Sequence, residues 1–286
     1  MWKCRRKHSS PFLNWINIYK VMMHSREEQL ESFSRLLDVM DELRAKCPWD
    51  REQTFESLRH NTIEETYELC DAIIDKDMGN IKKELGDILL HIVFYAKMAS
   101  ETDDFDIKDV CDALCSKLIY RHPHVFGDAV ANEAGEVVRN WEQLKRKEKG
   151  GNKTVLSGVP ESLPSLIKSY RIQEKAAAVG FDWEQKEDVW KKVHEELEET
   201  ESALSKGDDV NLEEEIGDTL FALVNAARLY GVEPDNALEK TNKKFMRRFN
   251  YIESESVNRG KDLKQMSLKE MDELWDEAKR LERQSR

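Results

Sequence analysis

The stretch that decides the fold is acidic, and it reads E-E-L-E-E at residues 195–199 and L-E-E-E-I-G-D at residues 212–218. The turn-forming K-G-D-D at 206–209 separates the two parts, so we predict two consecutive helices. Helical spacing places Glu196 and Glu199 on one face of the first helix, and Glu215 and Asp218 on one face of the second. Antiparallel packing of these helices would bring both acid pairs together.

The same pattern occurs earlier in the chain. Between 64–96 and 195–227, 12 of the 33 residues are identical, whereas roughly 2 would be expected from average amino-acid usage. M-G-N at 78–80 is predicted to separate the earlier pair of helices. A duplicated helical domain explains this repeat. The four earlier acids lie 131 positions before the later four, and they are Glu65, Glu68, Glu84 and Asp87.

The composition favours an all-α fold built from two tandem helical-bundle repeats. Charged residues make up 36% of the 286 residues, while glycine and proline are scarce. Because no segment of useful length alternates apolar and polar residues, no sheet is predicted. Helices are predicted near 27–45, 55–75, 81–100, 107–120, 133–149, 163–178, 186–205, 211–230, 235–258 and 267–283.

The sequence also suggests the domain boundaries. Residues 1–26 carry several basic side chains and no acid, and we expect a disordered tail there. The first repeat is predicted at 27–149 and the second at 163–286. Glycines at 150, 151 and 158 and the proline at 160 mark a linker over 150–162.

Charge and cysteine content exclude several classes of protein. The net charge of −12 argues against binding to nucleic acid or to an anionic membrane, because such surfaces need clustered Lys and Arg. Five scattered cysteines without a C-x-x-C pair are typical of reduced thiols in a cytoplasmic protein. The longest apolar run, at 88–96, is too short to cross a membrane.

Acid pairs on helices are usually solvated surface, but here we favour a metal site. The pairs border two stripes of apolar residues that we predict to form the core: Trp190, Val193, Leu197 and Leu204, then Ile216, Leu220, Leu223 and Ala227. Two carboxylates about 5 Å apart repel by roughly 3 kcal/mol. With no lysine or arginine expected between them, a cation has to neutralise the cluster. All-oxygen ligation selects Mg²⁺ or Mn²⁺, and Mg²⁺ commonly completes its shell with substrate phosphates.

Several motifs resemble those of the MazG nucleoside triphosphate pyrophosphohydrolases, all-α relatives of the dimeric dUTPases. The resemblance covers about residues 28–286 and is of the full-length, tandem-repeat type. Its pieces are C-P-W-D at 47–50, E-E-T-Y-E at 64–68, E-L-G-D at 84–87, R-H-P-H-V-F at 121–126, G-F-D-W at 180–183, E-E-I-G-D at 214–218 and N-K-K-F-M-R-R-F at 242–249.

This resemblance implies hydrolysis of a nucleoside triphosphate to the monophosphate and pyrophosphate by a Mg²⁺-dependent homodimer, with the second repeat carrying the main activity. It implies that Glu196, Glu199, Glu215 and Asp218 are catalytic metal ligands, where Mg²⁺ would activate a water to attack the α-phosphorus. The substrate-binding residues it implies, completed by neighbours of these motifs, are Glu195, Lys244, Arg248, Trp275 and Lys279.

The two copies differ near their acids. Lys192, one turn before Glu196, corresponds to Asn61, and Asn225 corresponds to Phe94. We therefore expect the second copy alone to have an extra cation and an extra polar group for substrate binding, and the first copy to bind only metal.

Other interpretations remain open at this point. Lys244 and Arg248 would equally pair with surface glutamates, and Trp275 would equally lie in the core. A non-catalytic helical module for dimerisation or regulation, whose acids hold structural ions, is the alternative function.

Overall fold

The computed structural model describes residues 24–129, 135, 137, 144, 145 and 154–284, and these residues form helices without any strand. The predicted all-α fold is therefore confirmed. The helices are α1 Arg26–Lys46, α2 Pro48–Glu52, α3 Phe55–Asp75, α4 Met78–Ser100, α5 Ile107–Arg121, α6 Pro123–Phe126, α7 Ser165–Ala177, α8 Val189–Lys206, α9 Asp209–Leu229, α10 Pro234–Asn258 and α11 Leu268–Gln284. Short 3₁₀ turns cover Leu156–Gly158, Lys186–Asp188 and Leu263–Gln265.

The sequence did not predict the short helices α2 and α6. The ends of the other described helices lie within three residues of their predicted positions. The M-G-N stretch at 78–80 was predicted to separate two helices, but it forms the first turn of α4 instead. Asp77 is the N-cap of α4, and its carboxylate accepts from the backbone N–H groups of Gly79 and Asn80. Residues 1–23 of the predicted tail and glycines 150 and 151 of the linker lie outside the described residues. The same holds for the helix predicted at 133–149, Trp141 included, apart from residues 135, 137, 144 and 145.

The chain divides between Lys117 and Leu118 into two compact units. In the first unit, α3 and α4 form an antiparallel hairpin against which α1 packs. Its buried core joins large side chains of these three helices, namely Met40, Leu58, Val93, Phe94 and Met98. In the described part of the chain, no helix is both long and apolar enough to span a membrane.

In the second unit, α8 and α9 form the corresponding hairpin, α7 packs on α9, and α10 pairs with α11. The α8–α9 interface is made by small side chains, because Val189 and Val193 meet Ala222 and Ala226 there. A separate cluster between α10 and α11 contains Ile252, Met266 and Leu274.

The predicted core stripes of this hairpin are largely wrong. Val193 is buried, but Leu204 and Leu220 keep 66% and 52% of their surface exposed. Alanines at the interface let the backbones of α8 and α9 approach closely, so the larger apolar side chains point away from it. The apolar periodicity correctly identified an apolar face on these helices. The prediction that this face is buried within the hairpin itself was wrong. The predicted core residues that are exposed instead are Trp190, Leu197, Leu204, Ile216, Leu220 and Leu223.

Candidate active site

Each hairpin brings three carboxylates together. In the first unit these are Glu65, Glu84 and Asp87, and in the second they are Glu196, Glu215 and Asp218. Within each group, one carboxylate oxygen of every residue lies within 4.8 Å of those of the other two. We call these groups the first and the second acid cluster. The spacing suits a shared cation.

The fourth acid of each predicted set lies outside its cluster. Glu199 is nevertheless close enough to Glu215 to act on its ionisation. Glu68 has a carboxylate oxygen 3.7 Å from the Nζ of Lys83. Three of the four acids in each repeat are therefore brought together, and the ligand role of all four stays a prediction.

One member of each cluster resists ionisation. Partial burial raises the pKa of Glu215, and the charges of Glu199, Glu196 and Asp218 raise it further. Burial also raises the pKa of Glu65, with Asp87, Glu68 and Glu84 adding to the effect and Lys83 opposing it. Both clusters thus concentrate negative charge that a bound cation would relieve.

A lysine lies among the first cluster, contrary to the expectation that no basic residue is interleaved. The Nζ of Lys83 is 2.9 Å from Glu84, 3.5 Å from Asp87 and 3.7 Å from Glu68. Its hydrogen bond to Glu84, together with the other acids, raises the pKa of Lys83, so the ammonium stays charged. Comparing the two repeats in sequence did not reveal the role of Lys83, because the corresponding residue in the second repeat is an acid, Glu214.

The second cluster has its own lysine, as predicted. The Nζ of Lys192 lies 2.7 Å from Glu196 and 2.9 Å from Glu195, and these contacts raise the pKa of Lys192. The prediction that only this copy holds an extra cation is wrong, because Lys83 supplies one to the other. The two cations come from opposite helices, Lys83 from α4 and Lys192 from α8.

A cavity of about 780 Å³ adjoins the second cluster. Four of the predicted residues line it: Lys192, Glu196, Asp218 and Asn225. Its other walls come from α7, from the G-F-D-W loop at 180–183 and from one face of α9. A volume of this size is typical of a small-molecule site.

An ion pair that the sequence did not reveal holds the loop in place. Asp182 accepts two hydrogen bonds from Arg228, whose guanidinium also donates to the Oδ1 of Asn225 at 2.8 Å. The side chain of Arg228 is 12% exposed and that of Asp182 is 28% exposed, so solvent reaches the pair from the side of the aspartate. The sequence singled out the G-F-D-W motif, which contains Asp182. It gave no indication of the partner, because Arg228 lies 46 residues further along the chain.

The first repeat carries larger side chains at two positions of this hairpin. Ala222 and Ala226 in α9 replace His91 and Tyr95 of α4, each 131 positions earlier. The Nδ1 of His91 and the hydroxyl of Tyr95 form hydrogen bonds with the hydroxyl of Thr62, at 2.6 and 2.7 Å, and Tyr95 stacks on Phe55. Burial lowers the pKa of His91, although Asp87 opposes this. Ala222 lines the cavity beside the second cluster, and Ala226 packs in the α8–α9 core.

The five remaining predicted substrate-binding residues do not line this cavity: Glu195 lies on α8, and Lys244, Arg248, Trp275 and Lys279 lie on α10 and α11. Arg248 forms an ion pair with Glu282 at 2.8 Å and lies over the ring of Trp275. Trp275 packs against the α10–α11 cluster, and Lys279 pairs with Asp276 at 3.0 Å. Lys244 lies one turn before Arg248 on α10. The role of all five in substrate binding stays a prediction.

Fold and site together define a helical protein in which an acidic hairpin faces a cavity. Comparison with known proteins gives the family. The model of the MazG nucleotide pyrophosphohydrolase domain matches twice, at residues 53–126 and 184–252. The chain belongs to this family, and it is an enzyme of the hydrolase class.

Similar proteins cover most of the chain. A nucleoside triphosphate pyrophosphohydrolase of Escherichia coli is 44% identical over 260 residues, which are 88% of this chain and 99% of the relative. A nucleoside triphosphate pyrophosphohydrolase/pyrophosphatase of Thermotoga maritima is 44% identical over 250 residues, 86% of this chain and 95% of the relative. The uncharacterized protein YabN of Bacillus subtilis is 45% identical over 266 residues, 91% of this chain and 54% of YabN.

Proposed function

We propose that this chain is a Mg²⁺-dependent nucleoside triphosphate pyrophosphohydrolase. A water oxygen bonds to the α-phosphorus, the bond to the bridging oxygen of the β-phosphate breaks, and the products are the nucleoside monophosphate and pyrophosphate. The observation that carries the proposal is the second acid cluster at the wall of a cavity in a chain of this family. The names of the E. coli and T. maritima relatives support the same substrate class.

The residues of the second cluster fit a hard divalent cation. All three candidate ligands are carboxylates, and partial burial, together with the neighbouring acids, raises the pKa of Glu215. We propose that Glu196, Glu215 and Asp218 hold Mg²⁺, or Mn²⁺ in its place, with Glu199 beside them. When bound, the ion supplies positive charge to the triphosphate and acidity to a water.

The chain's own side chains then position the substrate. Lys192 lines the cavity beside the cluster, so its ammonium can exchange the carboxylate of Glu195 for a phosphate oxygen and balance the charge of the departing pyrophosphate. The cavity walls shelter the nucleoside from water. Because the cavity adjoins the second cluster and is lined by Ala222, where the first repeat has the larger His91, we place the principal active site in the second repeat.

We further propose that the enzyme is a homodimer. The α8–α9 hairpin leaves its large apolar side chains exposed, and a second copy would cover them. Residues Lys244, Arg248, Trp275 and Lys279, which do not line the cavity of their own chain, would then reach the nucleotide from the partner. Cys47, Cys111 and Cys115 are free thiols, in keeping with a cytoplasmic location.

The test is a matched pair of substitutions, one in each acid cluster. Asp218→Asn removes a ligand from the second cluster and Asp87→Asn its counterpart from the first. Pyrophosphate released from ATP and dGTP is measured over a range of Mg²⁺ concentrations. We expect Asp218→Asn to lower kcat at least about a hundredfold and Asp87→Asn to leave most of it.

Equal losses in the two variants would overturn the assignment to the second repeat. Mg²⁺ binding by the wild-type protein without pyrophosphate release from any nucleotide would favour the alternative, a non-catalytic metal-binding module for dimerisation or regulation.

A further inference from the structure

The cavity wall contains a buried amide with one unused acceptor. Gln173 on α7 lines the cavity and is only 6% exposed. Its Nε2 donates to the backbone oxygen of Phe221 at 2.9 Å. Its Oε1 is buried and has no hydrogen-bond partner among the described residues. Buried polar atoms without partners are rare in folded proteins, so this oxygen points to a missing ligand.

The orientation of the amide is fixed by its surroundings. Turning it over would set Oε1 against the carbonyl oxygen of Phe221, an arrangement of two acceptors with no proton between them. The hydrogen-bonding group of Gln173 that is left for a ligand is therefore an acceptor, Oε1. A second amide, Asn225, lies one turn beyond Phe221 on α9; Arg228 occupies its Oδ1, which leaves Nδ2 as its hydrogen-bonding group.

Aromatic side chains stand beside these amides. Phe181 and Trp183 flank Asp182 in the loop that Arg228 anchors, and both line the cavity. Phe181 is 83% exposed, an unusual position for a large apolar ring. Planar rings on an anchored loop are suited to stack on a flat, partly polar ligand.

We infer that this cavity binds the nucleobase and that Gln173 is a specificity-determining residue whose Oε1 accepts a hydrogen bond from an exocyclic amino group. The inference rests on the proposed function and names a part of the same site. Adenine and cytosine match the two amides, because their amino group adjoins a ring nitrogen that accepts a hydrogen bond. Uracil and hypoxanthine present a keto oxygen at the same place, which Oε1 would repel.

The experiment compares two substrates that differ by one group. ATP carries the amino group at C6 of the purine, and purine riboside 5′-triphosphate carries hydrogen there. Steady-state pyrophosphate release is measured for the wild type, for Gln173→Leu and for the matched control Gln185→Leu, an exposed glutamine that does not line the cavity. For the wild type we expect the KM of the analogue to exceed that of ATP by about tenfold, with kcat little changed.

Gln173→Leu should erase the difference by raising the KM of ATP alone, and Gln185→Leu should keep it. The inference is overturned if the wild type does not distinguish the two substrates, or if Gln173→Leu still does. Because the substrate comparison uses wild-type protein, it decides the matter even if the variant fails to fold. Failure of the proposed function looks different, since neither triphosphate would then release pyrophosphate.

Discussion

At the scale of single residues, the two acid clusters share one sequence pattern but differ in how a lysine neutralises them. Each carries a lysine, but Lys83 bridges three acids from within α4, whereas Lys192 reaches only Glu195 and Glu196 from α8. A protonated ammonium and a divalent cation compete for the same carboxylates. The first cluster is thus the more completely neutralised without metal.

Removing this internal cation should strengthen metal binding to the first cluster. We predict that Lys83→Gln, made in an Asp218→Asn background that weakens the second cluster, binds Mn²⁺ about fivefold more tightly. Titration calorimetry or electron paramagnetic resonance of Mn²⁺ measures it. Lys82→Gln is the control, since the neighbouring Lys82 is exposed and forms no ion pair among the described residues. Equal affinities in the two variants would contradict the competition.

At the scale of helices, the repeat is a hairpin whose turn is conserved in shape but not in sequence. The residue after the first helix is left-handed in both copies, Lys76 with φ 56° and Gly207 with φ 67°. Glycine adopts this conformation without strain, whereas a residue with a Cβ is disfavoured there. Of the two hairpins, only the second has glycine, the residue that this left-handed position favours.

Exchanging these residues should shift stability in opposite directions. We predict that Lys76→Gly raises the free energy of unfolding by about 1 kcal/mol and that Gly207→Lys lowers it by a similar amount. A Cβ at 207 would meet nothing within 4 Å, so the effect comes from the backbone alone. Urea unfolding followed by circular dichroism measures both, and a change of the same sign in both variants would rule out this explanation.

Two ion pairs join the end of α4 to α1, Lys97 with Asp41 at 2.7 Å and Arg44 with Glu101 at 2.6 Å. Arg44 donates two hydrogen bonds to Glu101, at 2.9 and 2.6 Å, and these lower the pKa of Glu101. A carboxylate with a lowered pKa stabilises the fold above its ordinary pKa, and this contribution is lost as the pH falls through the folded-state value.

Glu101→Gln should therefore be destabilising at neutral pH and nearly neutral in acid. Because the side chain is 38% exposed, we expect no more than about 1 kcal/mol at pH 7. The difference from wild type should shrink as the pH falls below the ordinary glutamate pKa and vanish below the lowered pKa of the folded state. Urea unfolding at several pH values tests this, with the exposed Glu31→Gln as control. A loss that is the same at all pH values would mean that the charge is unimportant.

The fold and the acid clusters could be predicted because both follow from local spacing. Glu215 and Asp218 share a face in any α-helix, and the K-G-D-D turn closes the hairpin. The rest depended on tertiary contacts. Nothing near Leu220 in sequence shows whether its own chain covers it. Likewise, the sequence does not distinguish Gln173 from an ordinary surface glutamine, because its hydrogen bond to the backbone oxygen of Phe221 is a tertiary contact.

At the scale of the whole molecule, the exposed apolar face of α8 and α9 is the main feature that one chain leaves unexplained. Leu204 and Leu220 are more than half exposed, and Leu197, Ile216 and Leu223 are over 40% exposed. Several large apolar side chains on one hairpin are typical of a buried interface. This is the physical basis of the proposed homodimer.

A charge in this face should dissociate the dimer. We predict that Leu220→Glu halves the mass measured by size-exclusion chromatography with light scattering and also lowers pyrophosphatase activity, because the partner's basic residues are lost. Leu268→Glu is the control, since Leu268 is 75% exposed but lies on α11. A wild-type mass for Leu220→Glu would count against this interface.

The replacement of His91 by Ala222 in the second repeat has a consequence for how the two halves differ. In the first hairpin His91 and Tyr95 both form hydrogen bonds with Thr62 on the opposite helix. In the second hairpin Ala222 offers no such bond and forms part of the cavity wall. One copy of the hairpin is therefore cross-linked by polar side chains, and the other is accessible to a ligand.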